Sequence, residues 1–237
     1  MDLSKTQTST RSSTVILVTL IVLPLGVIGC QLFFKLGETW GSAGYSLYKV
    51  LFLVPPLIYC RMNGIHVLRD IFILKNWRRY LPVAVGLGIL ALLIFWGAYF
   101  SLRGFLKIDE DLIVRSTGEQ FGVTKNNVLF VAPLTIFLNS WLEEFFHRGF
   151  SFGLLVKNNR WLGYLLPATV FTVQHMLFIY QWSTPLKLII AVVALFVFAL
   201  VLQKIYEKAQ SLVTPWVIHI FGDIAMMGIA VWLIVFK

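Results

Sequence analysis

The fold of this chain is decided by residues 128–155, VLFVAPLTIFLNSWLEEFFHRGFSFGLL. As a helix rising about 1.5 Å per residue, this stretch is long enough to cross the roughly 30 Å of hydrocarbon in a bilayer. Its second half nevertheless contains Glu143, Glu144, His147 and Arg148. Ionisable groups in a bilayer core cost from about 2.5 to more than 10 kcal/mol each, so by default they are functional. The stretch therefore predicts a membrane-spanning helix that carries a polar site.

The composition extends this prediction to the whole chain. Apolar residues make up 58% of it, 13% are charged and the mean hydropathy is +0.81, which places the chain far outside the range of soluble globular proteins. The pattern predicts an all-α fold, a polytopic transmembrane helical bundle of about seven to eight spans with an intramembrane polar cavity. The expected spans are residues 15–34, 45–60, 81–102, 128–155, 162–180, 186–202 and 214–236.

The organisation expected is one transmembrane domain, 15–237, with a motif-bearing core at 128–230 and a disordered Ser/Thr-rich tail at 1–14. The first apolar run is too long for a signal-peptide core and no small-residue cleavage motif closes it, so it is expected to be retained. The second span is short and contains Pro55 and Pro56, which favours a kinked, re-entrant or merged segment. The linker 103–127 has room for an eighth membrane element. Gly86 and Gly88 are compatible with close helix packing, although ordinary glycine usage in membrane helices explains them more simply.

The net charge of +9 points to lipid and not to nucleic acid. The basic residues lie mostly in loops and form no stripe with interleaved aromatic residues, which favours topology control and anionic headgroups. Lys and Arg are more frequent in the loops on the N-terminal side, which predicts a cytoplasmic N-terminus. A multi-pass protein of a prokaryotic plasma membrane is expected, because the chain is short and lacks organelle signals. Its oligomeric state is not predicted.

The spacing of the charged residues in 128–155 divides them into two faces. Glu144 and Arg148 are four residues apart and share one face of a helix. Glu143 and His147 share another, turned by about 100°. The expected division is a Glu144 held ionised by Arg148 and a Glu143 that lacks a cation and takes a proton from water. The Glu144–Arg148 pair can also be read as structural glue, and His147 is expected near the headgroups.

Two later spans add matching polar pairs. Phe171 precedes His175 by one helical turn, and His219 precedes Asp223 by one turn. If the three helices pack with these faces inward, a carboxylate, two imidazoles and a further polar group meet. Hydrolysis needs such a set, with a base for water and donors for the oxyanion. More simply, an intramembrane His can be an interhelical hydrogen bond, and Phe171 a packing aromatic.

In order along the chain, the patterns Glu-Glu-x-x-x-Arg, Phe-x-x-x-His and His-x-x-x-Asp resemble the CAAX protease and bacteriocin-processing family, also described as type II CAAX prenyl proteases. The resemblance covers residues 128–230. It implies a glutamate-type intramembrane endopeptidase without an acyl-enzyme, acting on a peptide or protein substrate at the membrane and needing no cofactor. Glu143 and His175 would activate water, His219 and Asp223 would stabilise the oxyanion, and Arg148 would orient the glutamates.

One position departs from the family pattern. The family often has Asn where this chain has Asp223, and an amide donates a hydrogen bond whereas a carboxyl group donates only when protonated. Asp223 is therefore expected either to act as a protonated donor or to orient His219.

Three other functions are compatible with the same residues. Glu143, His175 and His219 could bind zinc as a His₂Glu set with one open position, although no His-Glu-x-x-His pattern is present. A non-catalytic immunity protein or peptide-binding scaffold could use the same cavity. A proton-coupled transporter or haem-binding bundle is the last, and the clustering of polar residues in one half, without repeats, counts against a transporter.

Overall fold

The computed structural model describes residues 10–34, 49–71, 74–180 and 183–236, which form helices without a β-strand. A single 3₁₀ turn, Val50–Phe52, and a π-helical turn, Val67–Ile71, lie between longer helices. The helices, in chain order, are α1 Thr10–Phe34, α2 Val54–Met62, α3 Trp77–Leu102, α4 Glu110–Phe121, α5 Val128–Leu155, α6 Arg160–Ile179, α7 Pro185–Ala209 and α8 Val213–Phe236.

Four of these helices, α3, α5, α7 and α8, are long and apolar enough to cross a membrane. They correspond to the third, fourth, sixth and seventh predicted spans, while α1 and α6 form the first and fifth as helices. The prediction of an all-α, polytopic membrane bundle is confirmed. Helix α1 begins at Thr10, so residues 10–14 of the expected tail are helical, and residues 1–9 lie outside the described part of the chain.

The second predicted span and the linker take more irregular forms. Residues 45–48 lie outside the described residues, and beyond them the chain forms the 3₁₀ turn and the short α2. Pro55 and Pro56 lie in the first turn of α2, where the missing N–H costs no helical hydrogen bond. In the linker, α4 begins at the N-cap Asp109 and ends at the left-handed Gly122. With 12 residues, α4 is too short to span a bilayer.

Helices α5 and α8 lie at the centre of the bundle. In their most apolar windows 44% and 39% of the residues are buried, against 11% in both α3 and α7, whose outer faces are left to lipid. Helix α8 packs along α3 and also contacts α5 and α7, while α6 packs along α7 and against the end of α5. The two helices with most of the predicted polar residues are therefore the two most enclosed.

Helix α5 is irregular on both sides of its glutamates. The α-helical stretch Ser140–Glu144 lies between the π-helical stretches Leu134–Asn139 and Phe145–Phe152, and π-helical irregularities are frequent at functional sites. The Trp216 indole N–H of α8 donates to Phe137 O at 3.3 Å and to Ser140 Oγ at 3.1 Å. This contact fixes α8 against α5 one turn from the glutamates.

Helix α3 approaches α8 closely at a glycine. A Cβ at Gly88 would lie 2.3 Å from Cδ2 and 3.1 Å from Cβ of Phe221, whereas a Cβ at Gly86 would meet no atom within 4 Å. Gly88 is therefore required by packing, which the sequence did not favour, and Gly86 is not.

We expect Gly88→Ala to lower the thermal unfolding temperature of the detergent-solubilised protein, because overpacking of this kind costs about 1–3 kcal/mol. The matched variant Gly86→Ala should leave it unchanged or raise it, since Ala is favoured over Gly within a helix by about 1 kcal/mol. Equal unfolding temperatures for the two variants would contradict the close approach of α3 and α8.

Candidate functional site

The structure brings the three predicted polar segments together at the centre of the bundle. Ligand atoms of Glu143 on α5, His175 on α6 and His219 on α8 lie within 4.8 Å of one another. Asp223, one turn beyond His219, is 4% exposed, and Glu143 is 1% exposed. The His175 side chain keeps 17% of its surface exposed. The buried cluster is thus open to its surroundings at His175.

One oxygen of Glu143 is occupied by hydrogen-bond donors. Oε1 accepts from Lys49 Nζ, from Asn139 Nδ2 at 3.2 Å and from Gln174 Nε2 at 3.2 Å. Three donors use the lone pairs of this oxygen and fix the plane of the carboxylate.

The second oxygen of Glu143 faces the two imidazoles. Oε2 lies 3.6 Å from His175 Nε2 and 3.9 Å from His219 Nε2, and it accepts no hydrogen bond from the described residues. Its lone pairs point between the two rings.

Lys49 is the charged partner of Glu143, and the sequence did not predict this contact. It was expected that Glu143 would have no cation; instead the Lys49 ammonium, on a side chain 3% exposed, pairs with it. Lys49 lies within the second predicted span, so the criterion that drew attention to Arg148, a basic residue inside an apolar segment, applies to it equally.

Glu144 connects the predicted arginine to a histidine. Its Oε1 accepts from Arg148 Nη1 at 2.8 Å, as the spacing indicated, and from His219 Nδ1 at 2.7 Å. The Glu144 and Arg148 side chains are fully buried, and 3% of His219 is exposed. A buried carboxylate with two charge-assisted or polar donors can remain ionised in the bundle.

The partners of the two rings determine where their protons lie. His175 Nδ1 is 2.8 Å from Phe171 O, and a carbonyl only accepts, so Nδ1 carries the hydrogen. His219 Nδ1 likewise donates to the Glu144 carboxylate. In the neutral form of each ring, Nε2 then carries a lone pair.

Three lone-pair atoms therefore converge, the two Nε2 atoms and Glu143 Oε2. Such a set can accept the two hydrogens of a water molecule. It can also bind a metal ion, because each imidazole is held through its other nitrogen in the way typical of metal-ligating histidines.

Phe171 is more than a packing residue, because its ring contacts four polar side chains. The Arg148 guanidinium lies 4.3 Å over its centroid, and the His175 ring is 4.2 Å from it. The rings of His147 and His219 meet it in T-shaped contacts at 5.4 and 5.7 Å. Phe171 thus packs against the Arg148 guanidinium with its face and against the surrounding imidazoles.

His147 is fully buried, so the expectation that it faces the headgroups is wrong. Burial follows from its position in the second half of α5, where Phe171 and Gln174 of α6 cover it. Its Nε2 is 3.2 Å from Gln174 Oε1, and Gln174 Nε2 donates to Glu143. Since the carboxylate only accepts, the Gln174 NH₂ group faces Glu143, and His147 donates to the amide oxygen. His147 thus acts on Glu143 through Gln174.

Asp223 borders the cluster without a hydrogen bond to His219. Its Oδ1 is 3.7 Å from His219 Nε2, beyond hydrogen-bond distance, and Oδ2 has no partner among the described residues. Glu144 is hydrogen-bonded to Nδ1 of the ring, and Asp223 lies near its Nε2. Asp223 faces the same Nε2 lone pair as Glu143 does.

Residues 125–225 match the family described as type II CAAX prenyl endopeptidase, Rce1-like. The match includes all three sequence motifs, so the resemblance seen in the sequence is confirmed over this range. No curated protein and no solved structure matches the chain. The matched family is one of endopeptidases, which together with four apolar helices indicates an integral membrane protein that hydrolyses peptide bonds. Lys49 lies outside the matched range.

Proposed function

With an Rce1-like type II CAAX prenyl endopeptidase domain at residues 125–225 as the premise, we propose that Glu143 and His175 activate water for hydrolysis of a peptide bond near the membrane surface. The observation that carries the proposal is the position of Glu143 Oε2. It accepts no hydrogen bond from the described residues and faces the Nε2 lone pair of His175 at 3.6 Å.

A water molecule that donates one hydrogen to Glu143 Oε2 and one to His175 Nε2 presents its remaining lone pairs to the carbonyl carbon of the substrate. As the C–O bond forms, Glu143 takes the proton from the water oxygen. The same proton then passes to the amide nitrogen as the C–N bond breaks, which releases the amine and restores the carboxylate. Since the nucleophile is water, no acyl-enzyme forms.

The oxyanion needs a hydrogen-bond donor on the far side of the carbonyl. In the imidazolium form His219 has a hydrogen on Nε2 as well as on Nδ1, and Nε2 then becomes a donor. Asp223, whose Oδ1 is 3.7 Å from that nitrogen, supplies a second donor when protonated. Glu144 and Arg148 act as supports, because Glu144 holds His219 and Arg148 balances the charge of Glu144.

The position of the site among membrane helices supports a substrate that is itself held at the membrane. A peptide or protein held at the membrane reaches it from the side of His175, the most exposed member. A prenylated C-terminal segment, a bacteriocin leader and a surface-protein precursor all have this form. We place the protein in a prokaryotic plasma membrane with its N-terminus in the cytoplasm, because Lys and Arg are in excess in the loops on that side. In such a membrane a bacteriocin leader or a surface-protein precursor is a more expected substrate than a prenylated segment.

We expect Glu143→Gln and His175→Ala to abolish cleavage while the protein remains folded in the membrane. The amide cannot take a proton from water, and the alanine removes the acceptor for its second hydrogen. Comparative proteomics of membranes that contain wild-type protein or a variant provides the measurement, through peptides whose termini are present only with the wild type.

Glu119→Gln and His66→Ala, at exposed positions, are the matched controls and should leave these termini in place. If Glu143→Gln and His175→Ala also leave them in place, hydrolysis by this site is refuted. A non-catalytic scaffold or immunity protein predicts that outcome, with peptide binding reduced but no change in any terminus.

Asp223 gives a second prediction. Asp223→Asn supplies a permanent amide donor toward the oxyanion, so cleavage should be retained or increased, whereas Asp223→Leu removes the donor and should lower kcat about 100-fold. The rates are measured with a synthetic peptide that spans a cleavage site identified in wild-type membranes. Loss of activity in Asp223→Asn comparable to that in Asp223→Leu would show that the carboxylate itself is required.

A zinc-dependent form of the same hydrolysis is the second candidate, favoured by the convergence of Glu143, His175 and His219 within 4.8 Å. These three would be the ligands, and zinc would supply Lewis acidity to a bound water. The Lys49 ammonium on the same carboxylate opposes it, since a second cation would be repelled there.

We expect purified, active protein to contain less than one zinc per chain and to keep its activity after treatment with a chelator. Stoichiometric zinc in elemental analysis, together with activity that a chelator removes and zinc restores, would establish the metal-dependent form instead.

A further inference from the structure

A buried ion pair reaches the site from outside the matched endopeptidase range. Lys49 precedes the 3₁₀ turn Val50–Phe52, and its ammonium donates to Glu143 Oε1 across 94 positions of sequence. Both side chains are almost fully buried, at 3% and 1% exposure. The Glu143 carboxylate would be strongly disfavoured at this depth without a cation, since an unpaired buried ion is costly.

The turn that carries Lys49 is anchored to α5. Phe52, fully buried, packs its ring 4.7 Å from Phe146 and 6.3 Å from His147. Residues three apart in a 3₁₀ turn project from the same side, so the anchoring of Phe52 brings Lys49 toward α5 as well. The packing of Phe52 thereby fixes the backbone from which the Lys49 side chain extends to Glu143.

The pair determines which oxygen of Glu143 is available. Lys49, Asn139 and Gln174 together occupy Oε1, and Oε2 is left toward His175. Asn139 and Gln174 are neutral donors, and Lys49 is the charged one, so it makes the strongest of the three hydrogen bonds. Without it, the carboxylate loses its counter-charge and the strongest of the three contacts that resist rotation about its terminal torsion.

From this geometry, and resting on the proposed function, we propose that Lys49 is a positioning residue that holds Glu143 with Oε2 directed at the water-binding space between the imidazoles. Lys49 touches no reacting atom in this arrangement. It supplies from the N-terminal part of the chain a cation that the endopeptidase segment 125–225 does not itself direct at Glu143. Arg148, the buried cation of that segment, is engaged by Glu144.

The test compares Lys49→Met and Lys49→Arg with wild type, using a synthetic peptide that spans a cleavage site identified in wild-type membranes. Lys49→Met should lower kcat about 100-fold, the size of effect expected from a misplaced catalytic group, and change KM less than threefold. Lys49→Arg keeps a cation and should recover at least a tenth of the wild-type kcat. Lys204→Met is the matched control, because it breaks a Lys–Glu pair with Glu207 at the surface and should leave kcat unchanged.

Thermal unfolding of the detergent-solubilised protein tests the pair without reference to activity. Lys49→Met and Glu143→Gln should each lower the unfolding temperature, because each removes one member of a buried ion pair. The double variant removes both charges and should unfold at a higher temperature than Lys49→Met alone. If Lys49→Met does not fold, a double variant that does fold shows the same effect of leaving the Glu143 carboxylate without Lys49, and Lys49→Arg still provides the comparison of kcat.

A kcat in Lys49→Met equal to that of wild type would overturn the positioning role. A kcat above that of wild type would overturn it as well, and would show that Lys49 lowers the activity of the enzyme. An equal loss of kcat in Lys49→Met and Lys49→Arg would contradict the positioning role if the falls in unfolding temperature of Lys49→Met and Glu143→Gln also add up in the double variant. Lys49 would then be a packing residue. If Glu143→Gln changes no peptide termini in the membrane proteome, the proposed function is refuted while the ion pair is not. The unfolding temperatures of the two single variants and the double variant then still show whether Lys49 and Glu143 interact.

Discussion

Two adjacent carboxylates inside a lipid-spanning bundle impose the constraint on which the rest of the site depends: each needs a cation. Glu144 pairs with Arg148 and Glu143 with Lys49, in both cases with almost complete burial. Neighbouring residues of a helix point about 100° apart, and here each carboxylate bonds a different cation. The first comes from the same helix and the second from the segment before α2. Charge pairing thereby ties the N-terminal part of the chain to the motif-bearing helices.

The two glutamates differ in how their oxygens are used, and this difference separates their roles. Glu144 directs a single oxygen at both Arg148 and His219, which leaves that ring held through Nδ1. Glu143 receives all its donors on Oε1 and keeps Oε2 toward the imidazoles. One carboxylate is thus a support and the other can exchange a proton, although the two are neighbours of the same chemical type.

The parts of this arrangement that the sequence predicted are those set by one helix. The Glu144–Arg148 pair follows from four-residue spacing, and the membrane class follows from composition. The contacts of Lys49 with Glu143 and of Glu144 with His219 join positions 94 and 75 apart, so they depend on how helices rotate and approach. Periodicity does not specify that rotation. The burial of His147 was missed for the same reason: its neighbour Arg148 suggested a polar surface, but α6 covers both residues.

An apolar side chain completes the electrostatics. Phe171 lies with the Arg148 guanidinium over its face, while His147 and His219 meet it in T-shaped contacts. The negative face of an aromatic ring attracts the cation, and the apolar ring fills the space among these polar side chains. In such a dry environment the Glu144–Arg148 and Glu143–Lys49 attractions are stronger than at a surface. Phe171 therefore contributes to the low-dielectric surroundings of the Glu144–Arg148 pair through its contact with the guanidinium.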